Sequence, residues 1–149
     1  MIDLKIKLIH PEASIPVRAT AHAGGWDVFA ADIIKESEDF YIVDLGFQLE
    51  IPNGYKLTLV PRSSITKTKW IQQNSPGLGD CDYRGTYQYR FRCIPNSMVS
   101  SFDYQNFPFK VGDRIGQIYL EEVLPIQFIQ VEELGDTERG EGGFGSTGK

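Results

Sequence analysis

The chain has 149 residues, 41% of them hydrophobic and 23% charged, the size and composition of one soluble globular domain able to bury a core. Its net charge of −5 argues against a nonspecific nucleic-acid binder, which would carry a basic face, and an anionic substrate would need local arginines and a metal ion to offset the overall field. The N-terminus Met1-Ile2-Asp3-Leu4-Lys5-Ile6-Lys7 alternates charge with apolar residues, unlike a signal peptide, and no apolar run approaches the roughly 18–20 residues of a membrane span. Cys81 and Cys93 lack CxxC spacing and read as reduced thiols, so the expected location is the cytoplasm, that of the host if a virus or phage encodes the chain.

Ile2, Leu4, Ile6 and Leu8 recur at period two and predict a half-buried opening strand. Pro11 and Pro16 then make residues 10–18 a loop. In Ala23-Gly24-Gly25-Trp26-Asp27-Val28-Phe29-Ala30-Ala31, two glycines permit a close turn, and Trp26 to Ala30 reads as a short strand around a lone acid. Asp27 either caps a turn or serves a metal shell or substrate. Leu45, Phe47, Leu49 and Ile51 alternate up to the turn Pro52-Asn53-Gly54, and Tyr55, Leu57 and Leu59 resume the alternation, which predicts a β-hairpin. Pro61-Arg62-Ser63-Ser64 closes that strand and opens a short helix to about residue 70. Its serines are either plain caps or, with the arginine, ligands for phosphate.

Asn74-Ser75-Pro76-Gly77-Leu78-Gly79 is turn chemistry leading into Asp80-Cys81-Asp82-Tyr83-Arg84-Gly85. Tyr87, Tyr89 and Phe91 then alternate with Gln88, Arg90 and Arg92 as a strand. The acids and arginine at the mouth of this expected hairpin could be surface salt bridging. Residues 94–109, with Pro95 and Pro108 and no period, read as a long loop. Val111-Gly112-Asp113-Arg114 turns into a strand from Ile115 to Leu120, and Ile126, Phe128 and Val131 predict a last short strand. Half of the ten residues Arg139 to Gly148 are glycine, so this segment is either a frayed end or an arm that orders on a ligand. Its assets for a ligand are backbone N–H nests, Arg139, Phe144, Ser146 and Thr147. Gly143 to Lys149 matches the start of a P-loop, but that motif requires a Ser/Thr after the lysine and a helix onward, and the sequence stops at Lys149. Many short strands and one short helix predict an all-β barrel or jelly roll.

Five segments now stand in one order: Ala23-Gly24-Gly25-Trp26-Asp27-Val28, Pro61-Arg62-Ser63-Ser64, Gly77 through Gly85, Gly112-Asp113-Arg114-Ile115-Gly116-Gln117, and Arg139 through Gly148. Together they resemble the five motifs of the trimeric dUTPases (deoxyuridine 5′-triphosphate nucleotidohydrolases). The resemblance implies a distorted jelly-roll domain over residues 1–134, with an inserted loop at 94–109, and a flexible arm over 135–149 that closes on the active site. It implies a homotrimer with active sites at subunit interfaces, and Mg²⁺-dependent hydrolysis of dUTP to dUMP and pyrophosphate. That reaction limits uracil incorporation into DNA and supplies dUMP for dTMP synthesis.

By the same resemblance Asp80 is the general base for a water attacking the α-phosphorus, and Tyr83 excludes a 2′-hydroxyl. Asn74 and the hairpin backbone from Gly77 read the uracil edge. Arg62, Ser63, Ser64 and Gln117 hold phosphates, and Asp27 lies in the outer shell of Mg²⁺, reached through water. Arg139, Ser146 and Thr147 meet the terminal phosphate while Phe144 stacks on the base, and Gly145 between them also binds substrate. Gly79, Ser64, Gly116 and Trp26 depart from the residues commonest in the family. The alternative is a regulatory protein-binding module on the same fold, using loop 94–109; a dCTP deaminase on a related fold is disfavoured by the third and fifth segments.

Overall fold

The computed structural model describes residues 2–94 and 106–143. Ten strands follow in order: β1 (Lys5–Leu8), β2 (Trp26–Phe29), β3 (Asp32–Ser37), β4 (Phe40–Asp44), β5 (Phe47–Glu50), β6 (Tyr55–Pro61), β7 (Trp70–Gln72), β8 (Gly77–Gly79), β9 (Gln88–Cys93) and β10 (Arg114–Glu122). Two four-stranded antiparallel sheets, ordered β2-β10-β6-β8 and β3-β4-β9-β7, face each other, and β1 pairs with β5 beside them. The all-β jelly roll expected from the strand pattern is thus what forms. No helix among the described residues is long and apolar enough to cross a membrane, and both cysteines are free thiols.

Period-two alternation drives the packing. Tyr89, Phe91 and Cys93 alternate inward along β9, and Leu57 and Leu59 do so along β6. They meet Val28, Val43, Phe47, Trp70 and Ile115 in one core. Each large side chain buried there contributes about 1.5–3 kcal/mol. Phe107 stacks on Tyr41 with centroids 4.4 Å apart and meets Trp70 edge-on at 5.0 Å. The long loop expected at 94–109 therefore returns to the core at Phe107, while residues 95–105 lie outside the described ones.

Three expectations are corrected. The turn at Pro52–Gly54 exists, with Gly54 at φ +83° and the Tyr55 N–H donating to the Pro52 carbonyl at 3.2 Å. However, β5 pairs with β1 while β6 pairs with β10 and β8, so the turn crosses between sheets and makes no hairpin. Alternation fixes which face of a strand is buried, not which strand lies beside it. The helix after Pro61 is a 3-10 helix at Ser63–Lys67, and its N-cap is Arg62 with no side-chain cap bond, so neither serine caps it. Finally, Ile126, Phe128 and Val131 form no strand. Among the described residues no strand follows β10, and Phe128 is 91% exposed.

The β3–β4 hairpin was missed. Ile33-Ile34 breaks the alternation of β3, and a register shift between Lys35 and Ser37 breaks it again.

Candidate active site

β8 hydrogen-bonds to β6 in one sheet, and β9 to β4 and β7 in the other. The segment Asp80–Tyr87 therefore spans the two sheets rather than closing a two-stranded hairpin. The splay opens a cavity of about 410 Å³, within the usual range for small-molecule sites. Asn74, Gly77, Asp80 and Tyr83 all line it, joined by Thr86 and Gln88. Four residues expected at the base, sugar and reacting phosphate thus share one cleft.

Each is placed by a local cause. Asp80 follows β8 directly and is exposed at the rim. Gly77 sits so close to its surroundings that a Cβ would lie 3.2 Å from both the Asn74 carbonyl and Leu59 Cβ. The Tyr83 hydroxyl donates to the Thr86 carbonyl at 2.9 Å, and its ring stands edge-on to Tyr87 with centroids 5.4 Å apart. Burial, reinforced by the nearby Tyr83 and Asp80, pushes the Tyr87 phenol up to about 12, so it stays neutral beside the cavity. Asn74 Nδ2 donates to the Gln88 carbonyl at 3.0 Å, and its Oδ1 accepts from the Arg90 N–H at 3.0 Å. Its amide therefore staples this loop to β9, leaving one N–H and one lone pair for a ligand.

A second constellation forms where β2, β10 and β6 meet. Asp27 is 1% exposed. Its Oδ1 accepts from Gln117 Nε2 at 3.0 Å and pairs with Arg62 Nε at 3.5 Å, while its Oδ2 accepts from Arg114 Nη1 at 3.2 Å. The carboxylate is sealed beneath two guanidinium groups that remain partly exposed, which leaves a net positive surface suited to a phosphate chain. Arg114 was not among the expected site residues. Spacing of three puts strand residues on opposite faces, but the register shifts between Arg114 and Gly116, so Arg114 and Gln117 both turn to Asp27. Ser63 and Ser64 follow Arg62 on the surface.

In the described part of the arm, residues 135–143, Arg139 Nε donates to the Gly142 carbonyl at 2.8 Å, a bond within its own turn. Phe144, Gly145, Ser146 and Thr147 lie outside the described residues, as does most of the loop expected as a regulatory contact.

No group of three or more His, Cys, Asp or Glu among the described residues could cage a metal ion. Asp27 has three of about four acceptor positions engaged. With the residue also 1% exposed, Asp27 is not a direct ligand, and a hard cation would be held mainly by phosphate oxygens and waters.

The sequence profile of the dUTPase family matches residues 11–148. A deoxyuridine 5′-triphosphate nucleotidohydrolase of Nautilia profundicola is 37% identical over 150 residues, covering 99% of this chain and all of that one. Among solved structures, the Staphylococcus bacteriophage 80alpha dUTPase with dUPNHPP superposes with a TM-score of 0.80 at 25% identity, covering both chains fully. A dUTPase from phage phi11 of S. aureus, described with a structural Mg(II) ion, gives 0.70 at 20% identity over 89% of this chain and 98% of its own.

Proposed function

Because the chain belongs to the dUTPase family, we propose that it hydrolyses dUTP to dUMP and pyrophosphate with Mg²⁺ on the substrate's phosphates. The observation that carries this reading is the single cavity lined by Asn74, Gly77, Asp80 and Tyr83. Asp80 orients a water against the α-phosphorus and accepts its proton as the new P–O bond forms and the bond to the bridging oxygen of pyrophosphate breaks. Tyr83 lies under the deoxyribose and leaves no room for a 2′-hydroxyl. Uracil is read by the cavity backbone near Gly77 and by what remains free on Asn74. Cytosine would leave polar groups unpaired there.

Arg62, Arg114 and Gln117 bind phosphate oxygens, held in place by Asp27, and Ser63 and Ser64 add hydroxyls beside Arg62. Mg²⁺, when bound, neutralises charge developing on the phosphates. The arm, through Arg139, Phe144, Gly145, Ser146 and Thr147, folds over the nucleotide and excludes water. A homotrimer is part of the proposal. Arg62, Gln117 and Arg139 do not line the Asp80 cavity of their own chain, and the apolar run from Val123 to Leu134 is exposed without a partner strand.

Pyrophosphate release from dUTP, dCTP, dTTP and UTP, with and without Mg²⁺, tests the reading. Turnover of dUTP alone is expected, abolished in Asp80→Asn with the fold retained. Equal rates on UTP and dUTP would remove the role given to Tyr83.

A further inference from the structure

One wall of the Asp80 cavity hangs on a carboxylate outside all five motif segments. Asp44 ends β4, and its Oδ2 accepts from Thr86 Oγ1 and from Gln88 Nε2, both at 2.9 Å. Its Oδ1 is fixed by the Gly46 N–H at 2.7 Å. The two residues it grips flank Tyr87, whose carbonyl accepts from the Leu45 N–H at 3.0 Å. Both gripped residues line the cavity, and Asp44 does not. Their carbonyls in turn hold the two selective side chains. The Thr86 carbonyl accepts from the Tyr83 hydroxyl, and the Gln88 carbonyl accepts from Asn74 Nδ2.

We infer that Asp44 is a positioning residue for substrate discrimination, acting through Thr86 on Tyr83 and through Gln88 on Asn74. The inference rests on the dUTP reading above. Two charge-assisted bonds to a single carboxylate, itself oriented by the Gly46 N–H, fix the height of residues 86–88 against the cavity, and with it the plane of the Tyr83 ring. A 2′-hydroxyl is rejected only if that ring cannot retreat. Small displacements of a positioning group are enough to change rates by orders of magnitude.

The test compares kcat and KM for dUTP and UTP in the full-length protein and in Asp44→Ala, Asp44→Asn and Thr86→Val, with melting curves for each. Thr86→Val removes one link and keeps the side chain's shape, so it serves if Asp44→Ala does not fold. Wild-type turnover of dUTP checks the underlying reading separately. Preference for dUTP over UTP is expected to fall about tenfold or more in Asp44→Ala and Thr86→Val, with KM for dUTP rising more than kcat falls, and to recover in part in Asp44→Asn. If dUTP and UTP rates drop in proportion while the melting temperature falls, Asp44 only supports the fold and the inference is wrong.

Discussion

The ring of Tyr89 fills the space that a side chain on Gly116 would need. A Cβ there would lie 2.2 Å from the ring's Cζ. Tyr89 is fully buried and its hydroxyl donates to the Gln117 carbonyl at 2.8 Å, so the ring cannot yield. Two residues earlier, Tyr87 does the same for Gly79, where a Cβ would meet its Cε1 at 2.6 Å. In both, a tyrosine on the segment Tyr87–Tyr89 fills the space a Cβ on the glycine would need.

Gly116→Ala should destabilise by about 1–3 kcal/mol, the usual range for overpacking a close-packed core. Tyr89→Leu should also destabilise, by leaving a cavity. The double variant should be more stable than the sum of the two predicts, because each change relieves the other. Urea unfolding of the four proteins checks this, and additivity within about 0.5 kcal/mol would show that the pair is not coupled.

Tyr87 carries a buried hydroxyl with no hydrogen-bond partner among the described residues. Tyr87→Phe removes only that group and should be neutral or stabilising by about 1 kcal/mol. Its phenol is raised to about 12 in the fold against about 10 unfolded, so folding favours the neutral form. That contribution is whole below about pH 10 and is lost as pH rises toward 12. Denaturation at pH 8 and at several values above 10 should show a flatter alkaline decline in Tyr87→Phe. An unchanged slope would mean that this phenol does not govern it.

Asp27→Ala should raise the KM for dUTP because Arg62 and Arg114 lose the carboxylate that orients them. Both arginines keep solvent contact, so their charges rehydrate, and the stability loss should stay near about 1–2 kcal/mol rather than the larger penalty of a fully buried pair. Arg114→Ala should raise the same KM with less effect on melting. If KM is unmoved in both, the cluster is a structural ion pair and not a phosphate site.

The fold was legible wherever alternation was clean. β5, β6 and β9 carry unbroken period-two patterns, and β2 was marked by Trp26 to Ala30. Partner choice was not legible: Pro52–Gly54 reads like a hairpin turn, yet it joins two sheets, because local turn chemistry says nothing of where a strand docks. In the site, Asn74, Gly77, Asp80 and Tyr83 lie within ten residues, so their spacing carries them into one cavity. Arg114 was hidden by the register shift that reverses its face. Asp44 was hidden because it acts across the sheet, 42 residues from Thr86, and no spacing rule spans that distance.

The segment after β10 bears on assembly. Leu124, Ile126, Phe128, Ile129 and Leu134 are each more than 70% exposed, an apolar run far beyond scattered surface residues. From Leu124 to Leu134 it pairs with no strand among the described residues, and a neighbouring subunit would satisfy both needs. Ile126→Asp together with Phe128→Asp should therefore leave the single chain folded, since neither residue touches the core, while moving sedimentation from three chains to one. Turnover of dUTP should vanish with the proposed trimer, because the phosphate cluster and the Asp80 cavity would no longer meet across an interface. A wild-type protein that sediments as single chains at full activity would refute the assembly and require one chain to bring Arg62, Gln117 and Asp80 around the same nucleotide.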